Sequence, residues 1–235
     1  MIIFGKRSVL EAIEKNTQID KIFIDRKNQS TDNILQKINK KNINISFVPV
    51  EKLNKLAKGI HQGIVARISP VEIYDLISLE SFIEKGNYNF LILDNITDTK
   101  NFGAIVRTCE CFGINGIIVS KSGSSPINGE TIKASSGAIF NLPIFKINHI
   151  KDAIFLLKAN SIKIVSADEK SSVSIFNHKF NKKTSIVMGS EGKGISKSIL
   201  KLSDQTLKIP MKGKVESLNV SVASAIFISE LSKIL

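Results

Sequence analysis

The chain has no tryptophan, two tyrosines, two cysteines, three histidines and five prolines in 235 residues. The cysteines, Cys109 and Cys111, stand two positions apart in a stretch read as a helix. There they point to nearly opposite sides, so no disulfide between them is expected. The histidines are scattered and no zinc-type spacing of Cys and His occurs, so no structural or catalytic metal is expected. No apolar run approaches the roughly 20 residues that span a bilayer. Met1–Arg7 lacks a basic segment followed by an apolar one. The expectation is a cytoplasmic protein with no membrane partner. Phosphate-binding glycine loops are missing too. G-x-x-x-x-G-K-[ST] is absent, and Gly189–Gly194 has the wrong order and comes too late for a dinucleotide fingerprint. P-loop and Rossmann-type nucleotide chemistry are therefore disfavoured.

Acidic residues are also short. Against 33 Lys and Arg there are 21 Asp and Glu, a formal charge of +12. Such a surplus attracts polyanions, RNA among them. Part of it is discounted, because the chain is rich in Lys, Ile and Asn together, as nucleotide bias would produce. Hydrophobic residues make up 43% of the chain, enough for an ordinary buried core.

Along the chain, Arg7–Lys15 reads as a short helix and Lys21–Asp25 as a strand. Thr31–Lys40 reads as an amphipathic helix, Ile43–Val48 as a strand, and Val50–Lys58 as a helix stopped by Gly59. His61-Gln62-Gly63 is a polar turn into the strand Ile64–Ile68. These elements form a first domain, residues 1–72. Residues 73–87 form a connector containing a helix, about Leu79–Lys85. From residue 88 to 235 strands and helices alternate. The strands are Phe90–Leu93, Gly116–Val119, Pro143–Lys146, Ile162–Ser166, Ser185–Met188 and Thr206–Ile209. The helices are Asn101–Phe112, Glu130–Ser136, Ile150–Ala159 and Lys197–Leu202. Short continuous apolar strands point to an α/β fold, a parallel sheet with helices on both faces. Ligands bind such sheets beyond the carboxyl ends of the strands.

Three polar stretches fall at such strand ends. The last, Ile209-Pro210-Met211…Ser217-Leu218-Asn219-Val220-Ser221-Val222-Ala223, runs from a strand end to a helix start. Ser217 and Asn219 offer capping oxygens there. In that C-terminal helix Val220, Ala223, Ile226, Phe227, Leu231 and Ile234 recur at helical spacing. The second stretch is Met188-Gly189-Ser190-Glu191-Gly192-Lys193-Gly194, and the first is Asn101-Phe102-Gly103…Arg107. In this order they resemble the three signature motifs of the SpoU (TrmH-like) RNA ribose 2′-O-methyltransferases of the SPOUT superfamily. The resemblance covers most of the chain from about Phe90 onward, and the first domain looks like that family's ribosomal-protein-like substrate-binding domain. Two departures stand out: Asp98-Thr99 replaces a frequent Asp-Pro, and Cys109 stands where alanine is common.

The resemblance implies S-adenosylmethionine as cofactor, a trefoil knot in the C-terminal segment, and 2′-O-methylation of a ribose in structured RNA. It implies catalytic roles for Arg107, Asn101, Glu191, Ser217 and Asn219. On the helix alone Arg107 reads as a solvated arginine; the resemblance moves it to the ribose hydroxyl. Guanidinium stays protonated, so the destination of the ribose proton is left open. Gly189, Ile209 and Leu218 fall at cofactor-binding positions, and core packing would suit the two side chains as well. Lys133, in a Lys-x-x-Ser-Gly-Ala segment, is a candidate for an RNA phosphate. His61 and Gln62 read either as an RNA-facing edge or as a plain turn.

The first domain looks most like that of enzymes modifying a guanosine of large-subunit ribosomal RNA. The alternatives are a transfer RNA enzyme and a non-catalytic RNA-binding protein of the same fold. A homodimer through the catalytic domains is expected, because the C-terminal helix carries more apolar surface than one buried face needs, and the resemblance implies pairing through the helices beside the knots.

Overall fold

The structure, a computed structural model, describes residues 1–27, 35–38, 41–190, 192–214 and 217–235. It divides into two compact units, Met1–Val71 with Pro126–Asn141, and Glu72–Ser125 with Leu142–Leu235. Of the helix expected over Thr31–Lys40, residues 35–38 are described and helical; the others lie outside the described residues.

The first unit holds β1 (Ile2–Phe4), α1 (Lys6–Glu14), β2 (Ile19–Asp25), β3 (Ile45–Val48), α2 (Val50–Leu56) and β4 (Ile64–Ile68). The sheet order is β1-β4-β2-β3, with β2 and β3 parallel and the other pairs antiparallel. Phe4, Phe23, Val48, Leu53, Ala57 and Val65 form one buried cluster between the sheet and α2. Strand β1 has no counterpart in the sequence reading. Three residues are too few to carry an alternation, and its pairing partner is more than 60 residues away.

Segment Pro126–Asn141, expected inside the second domain, packs in this first unit. It carries α5, as numbered in chain order below, at Gly129–Ala134, and a 3₁₀ turn at Ala138–Phe140. Asn128 caps α5, its side-chain oxygen accepting from the Glu130 and Thr131 N–H groups at 3.0 Å each. Ser8 Oγ donates to the Ile132 carbonyl at 3.4 Å. A Cβ on Gly129 would lie 2.5 Å from the Ile2 carbonyl oxygen and 3.2 Å from the Phe4 ring. Glycine is what lets the helix close over the β1 edge, which otherwise exposes unpaired backbone.

The second unit holds α3 (Leu76–Glu84), β5 (Phe90–Asp94), α4 (Thr99–Cys111), β6 (Gly116–Ser120), β7 (Ile144–Ile147), α6 (Ile150–Ala159), β8 (Lys163–Ala167), β9 (Thr184–Gly189), α7 (Lys197–Leu200), β10 (Gln205–Leu207) and α8 (Val220–Ser232). All its strand pairs are parallel, in the order β10-β8-β9-β5-β6-β7. Phe90, Ile92, Ile118, Phe145 and Val187 join Leu79, Ile83, Ala153, Ile154 and Leu157 in one core, which seats α3 and α6 on one face. Leu91 and Leu93 alternate to the other face. Helices α4 and α8 pack on each other, α4 also against β6 and α8 against β9. The buried stripe of α8 is Val220, Ser224, Phe227, Ile228 and Leu231. Ile228 therefore faces inward, while Ala223, Ile226 and Ile234 are only half-buried and Val222 is 49% exposed.

Gly129→Ala is expected to destabilise the chain by about 1–3 kcal/mol through overpacking against β1, read as a lower urea midpoint at unchanged m-value. An unchanged midpoint would show that α5 does not close over the strand.

Candidate active site at the carboxyl ends of the strands

Chain order reverses between β5 and β9, since β6 and β7 extend the sheet one way and β9, β8 and β10 the other. In open parallel sheets ligands bind at such a switch point, outside the carboxyl ends. The two strands end in register, Asp94 opposite Gly189.

From β5 the chain turns through Asn95, which takes a left-handed φ of 59°, into α4. Asp98 caps this helix by accepting from the Asn101 N–H at 2.7 Å. Phe102, Ile105, Val106 and Cys109 face inward, and burial pushes the Cys109 thiol well above its ordinary range. Arg107 is exposed, as its place off that stripe requires.

From β9 the chain folds back at once. Ser190 and Gly194 form an antiparallel bridge, with the Gly194 N–H donating to the Ser190 carbonyl at 2.9 Å. Gly192 and Gly194 hold φ values of 79° and 65° that favour glycine. A Cβ on Gly189 would collide with the Gly194 carbonyl carbon and the Ile195 nitrogen, so this position admits no side chain. Glu191 lies outside the described residues.

The third stretch closes the set. Asn219 caps α8, its Oδ1 accepting from the Ser221 N–H at 2.9 Å, while its Nδ2 donates to Asn101 Oδ1 at 3.0 Å. Asn101 and Asn219, 118 residues apart in sequence, therefore meet. Ser217 is exposed. Arg107 stands six residues beyond Asn101, about 9 Å along the helix axis and roughly 120° round it. The two side chains thus start from different faces of α4. Ile209 and Leu218 are half-buried, which leaves apolar surface beyond the core, and Ile209 follows β10 at the same sheet end as Gly189.

Asp94 was not among the residues expected here. It is 4% exposed, its Oδ2 accepting from the Ser196 N–H at 2.8 Å and its Oδ1 from Asn95 Nδ2 at 2.8 Å. It pins the far side of the glycine turn to the end of β5. A polar residue closing an otherwise apolar strand, Phe90-Leu91-Ile92-Leu93-Asp94, was the available signal.

In the first unit, Gln62 and Lys133 are brought together. Gln62 Oε1 accepts from Lys133 Nζ at 3.0 Å and from the Lys6 N–H at 3.1 Å. Partial burial lowers the Lys133 pKa. His61 turns out otherwise. It is 8% exposed, its Nδ1 accepts from the Gly63 N–H at 3.0 Å, and its Nε2 lies 2.9 Å from Asn54 Oδ1. With Nδ1 an acceptor, Nε2 carries the proton, and both nitrogens serve the turn. The RNA-facing reading of His61 loses its chemistry, while Gln62, at a left-handed φ of 55°, keeps a polar tip at the turn.

Asp94→Ala leaves the Ser196 N–H without its acceptor and is expected to cost about 1–3 kcal/mol. Asp94→Asn, which keeps an acceptor oxygen, should recover most of it. Equal urea midpoints for Asp94→Ala and the wild type would show that the carboxylate does not hold the turn.

Comparison with known proteins bears on the same residues. Residues 88–229 match the SpoU rRNA Methylase family, and residues 2–74 match the RNA 2′-O ribose methyltransferase substrate-binding family. A TrmH family tRNA/rRNA methyltransferase of Bacillus subtilis is 32% identical over 234 residues, covering 97% of this chain and 94% of its own. One from Staphylococcus aureus (strain COL) is 34% identical over 234 residues, covering 98% and 94%. Among solved structures, the SpoU methyltransferase AviRb from Streptomyces viridochromogenes, in complex with the cofactor AdoMet, superposes with a TM-score of 0.83 at 20% identity, covering 100% of this chain and 89% of that one. With the family match spanning residues 88–229, across all three polar stretches at the strand ends, the chain belongs to the SpoU, or TrmH-like, family of RNA methyltransferases.

Proposed function

We propose that the protein transfers a methyl group from S-adenosylmethionine to the 2′-hydroxyl of a ribose in structured RNA, a guanosine of large-subunit ribosomal RNA. The observation that carries the reading is the meeting of Asn101 and Asn219 beside the glycine turn at the β5–β9 switch. The residues at hand fit the cofactor: half-buried Ile209 and Leu218 offer an apolar lining, and the missing Cβ of Gly189 lets the Gly194–Ile195 backbone close against the strand end. S-adenosylmethionine, when bound, supplies an electrophilic methyl on a sulfonium.

The residues of this chain do the rest. A guanidinium offers donors and no acceptor, so Arg107 acts as a donor, holding an RNA phosphate and stabilising the alkoxide as it forms. Asn101 and Asn219 orient the ribose, with Ser217 and Glu191 completing the polar set. Positioning of this kind supplies up to about 7–11 kcal/mol of a barrier. Lys133 and Gln62 hold RNA on the first unit. The choice of ribosomal over transfer RNA rests on the likeness of the first domain to that of large-subunit enzymes and on the matched SpoU rRNA Methylase family at residues 88–229, while the names of the relatives span both. An RNA substrate of this kind puts the protein in the cytoplasm.

Arg107 and Asn101 start from different faces of α4, which suits a site that two protomers complete. Val222, Ala223 and Ile226 give α8 apolar surface outside its buried stripe, which suits pairing through that helix. We read the protein as a homodimer whose C-terminal segment, about residues 185–235, forms a trefoil knot. Sedimentation at micromolar concentration should give twice the 25.9 kDa chain mass; a fully active monomer overturns the shared site. A crystallographic backbone that pulls free without a knot overturns the topology.

Arg107→Ala should lose methyl transfer by at least about 100-fold, within the range of a lost transition-state donor. S-adenosylmethionine should still raise its melting temperature as it does in the wild type, since a ligand of the folded state stabilises it. Loss of both would move Arg107 into the cofactor site. Mapping 2′-O-methyl groups in ribosomal and transfer RNA from cells lacking the gene identifies the substrate: a missing mark in transfer RNA alone replaces the ribosomal reading.

A further inference from the structure

The lysines of the second unit are unevenly placed. At the amino ends of its strands, opposite the candidate active site, the connections 85–89, 112–115, 160–162 and 180–183 enter β5, β6, β8 and β9. They contain no Asp or Glu. Lys85, Lys182 and Lys183 lie in them, Lys163 opens β8, and all four are exposed. The carboxyl-end connections after β5 and β8, by contrast, contain Asp98, Asp168 and Glu169.

Hydrogen bonds tie these connections into one ledge. The Lys163 N–H donates to the Lys183 carbonyl at 2.9 Å. Asn89 Nδ2 donates to the Lys182 carbonyl at 2.9 Å and to that of Thr184 at 3.1 Å. Asn115 Oδ1 accepts from the N–H groups of Tyr88 and Asn89 at 3.0 and 2.9 Å. Lys183 Nζ sits 4.2 Å from the centroid of the Tyr88 ring, and the Phe112 ring is 40% exposed.

Helix C-termini attract cations, and Lys85, at the C-cap of α3, is accounted for in that way. Lys163, Lys182 and Lys183 are on no helix. Of the nearby acids, Asp204 interacts electrostatically with Lys163, which partly compensates that one lysine. Asp204 is occupied by Lys158 at 2.8 Å and by the Ile164 N–H at 2.8 Å, while Glu84 and Glu110 lie back in the last turns of α3 and α4.

We infer that this ledge, Lys85, Lys163, Lys182 and Lys183 with Tyr88 and Phe112, is a second RNA-binding surface, which grips the phosphate backbone at the sheet end remote from methyl transfer. The inference rests on the RNA substrate proposed above and deepens it. Clustered lysines hold phosphates without reading sequence, and an exposed aromatic ring beside them offers a face for an unstacked base. Strands of five residues put the two sheet ends about 16 Å apart. A short hairpin docked at the active site leaves the ledge empty, and only RNA extending well beyond the target nucleotide occupies both.

The test compares the wild type with a fourfold Lys→Gln variant at positions 85, 163, 182 and 183. The probes are a large-subunit ribosomal RNA transcript and a short hairpin cut from it, titrated between about 50 and 200 mM salt. The variant is expected to bind the long RNA at least about tenfold more weakly, with the slope of log affinity against log salt reduced by about 2–4. Hairpin affinity and S-adenosylmethionine binding should stay within about twofold of wild type. The matching Lys→Arg variant should restore the slope. An unchanged slope on long RNA overturns the ledge and leaves the methyltransferase reading standing, and gives the lysines to an acidic protein or to solvent. Failure of arginine to restore binding also overturns it. A wild type that neither binds nor methylates RNA removes both readings. If the fourfold variant does not fold, Lys163→Gln with Lys182→Gln is read by the same criteria, with a slope change of about 1–2.

Discussion

The pairing of β5 with β9 is the constraint on which the second unit depends. The bonds at the start of this pair join residues 95 apart, such as Ser185 Oγ to the Phe90 N–H at 3.2 Å. Closing so long a loop costs entropy that grows only slowly with length. Its return is a buried strand pair flanked by apolar neighbours on both sides, Leu91 beside Ile186 and Leu93 beside Met188. Once it forms, two polar connections that are remote in sequence leave the sheet side by side. One enters α4 through the Asp98 cap, and the other turns back through glycine. Asp94 then ties them, because a carboxylate at 4% exposure has to be satisfied, and the Ser196 N–H satisfies it. The site is thus a consequence of strand order plus one buried acceptor.

Packing of α8 on α4 adds the third stretch by the same logic. Phe227, Ile228 and Leu231 bury one side of α8, and Phe102, Ile105 and Val106 bury one side of α4. The rotation and height fixed by those contacts bring Asn219, at the N-cap of one helix, to Asn101, in the first turn of the other. Both asparagines are also tied to caps, one receiving a capping bond through its backbone and one supplying it through its side chain. Helix start and site are made by the same atoms, so a capping interpretation and a functional interpretation of these residues do not compete.

Much of this was legible in the sequence because it is local. Short apolar strands, caps and stop signals gave Ile150–Ala159 at both ends and the other long helices to within a few residues. Several misses share a cause, dependence on a partner far along the chain. Strand β1 exists only by pairing with β4. Segment 126–141 reads as one more helix of an alternating series, and only the fit of Gly129 beneath Ile2 assigns it to the first unit. Helix α8 is apolar almost all round, so periodicity could not choose Ile228 over Ile226 for the buried stripe. His61 reads as polar, and its two ring partners, Gly63 and Asn54, give no sign of themselves in the sequence. The pairing of Gln62 with Lys133, 71 residues apart, was likewise invisible, although each had been singled out separately.

Charge follows a different rule from packing. A net +12 in a chain rich in Lys and Asn says little by itself, since composition alone can produce it. Position carries the information. Lys158 and Lys233 are answered by Asp204 and Glu230, as lysines on a solvated surface often are. Lys133 is partly buried at a cost to its charged form, and it is held there by a glutamine, which offers a dipole and no counter-charge. Lys182 and Lys183 lie in the segment 180–183, which has no acids, and the ring of Tyr88 stands against the Lys183 ammonium. Cations kept near one another without carboxylates raise the energy of the free protein slightly, and a polyanion lowers it again on arrival. The unneutralised lysines, rather than the total charge, are therefore the part of the composition that bears on RNA.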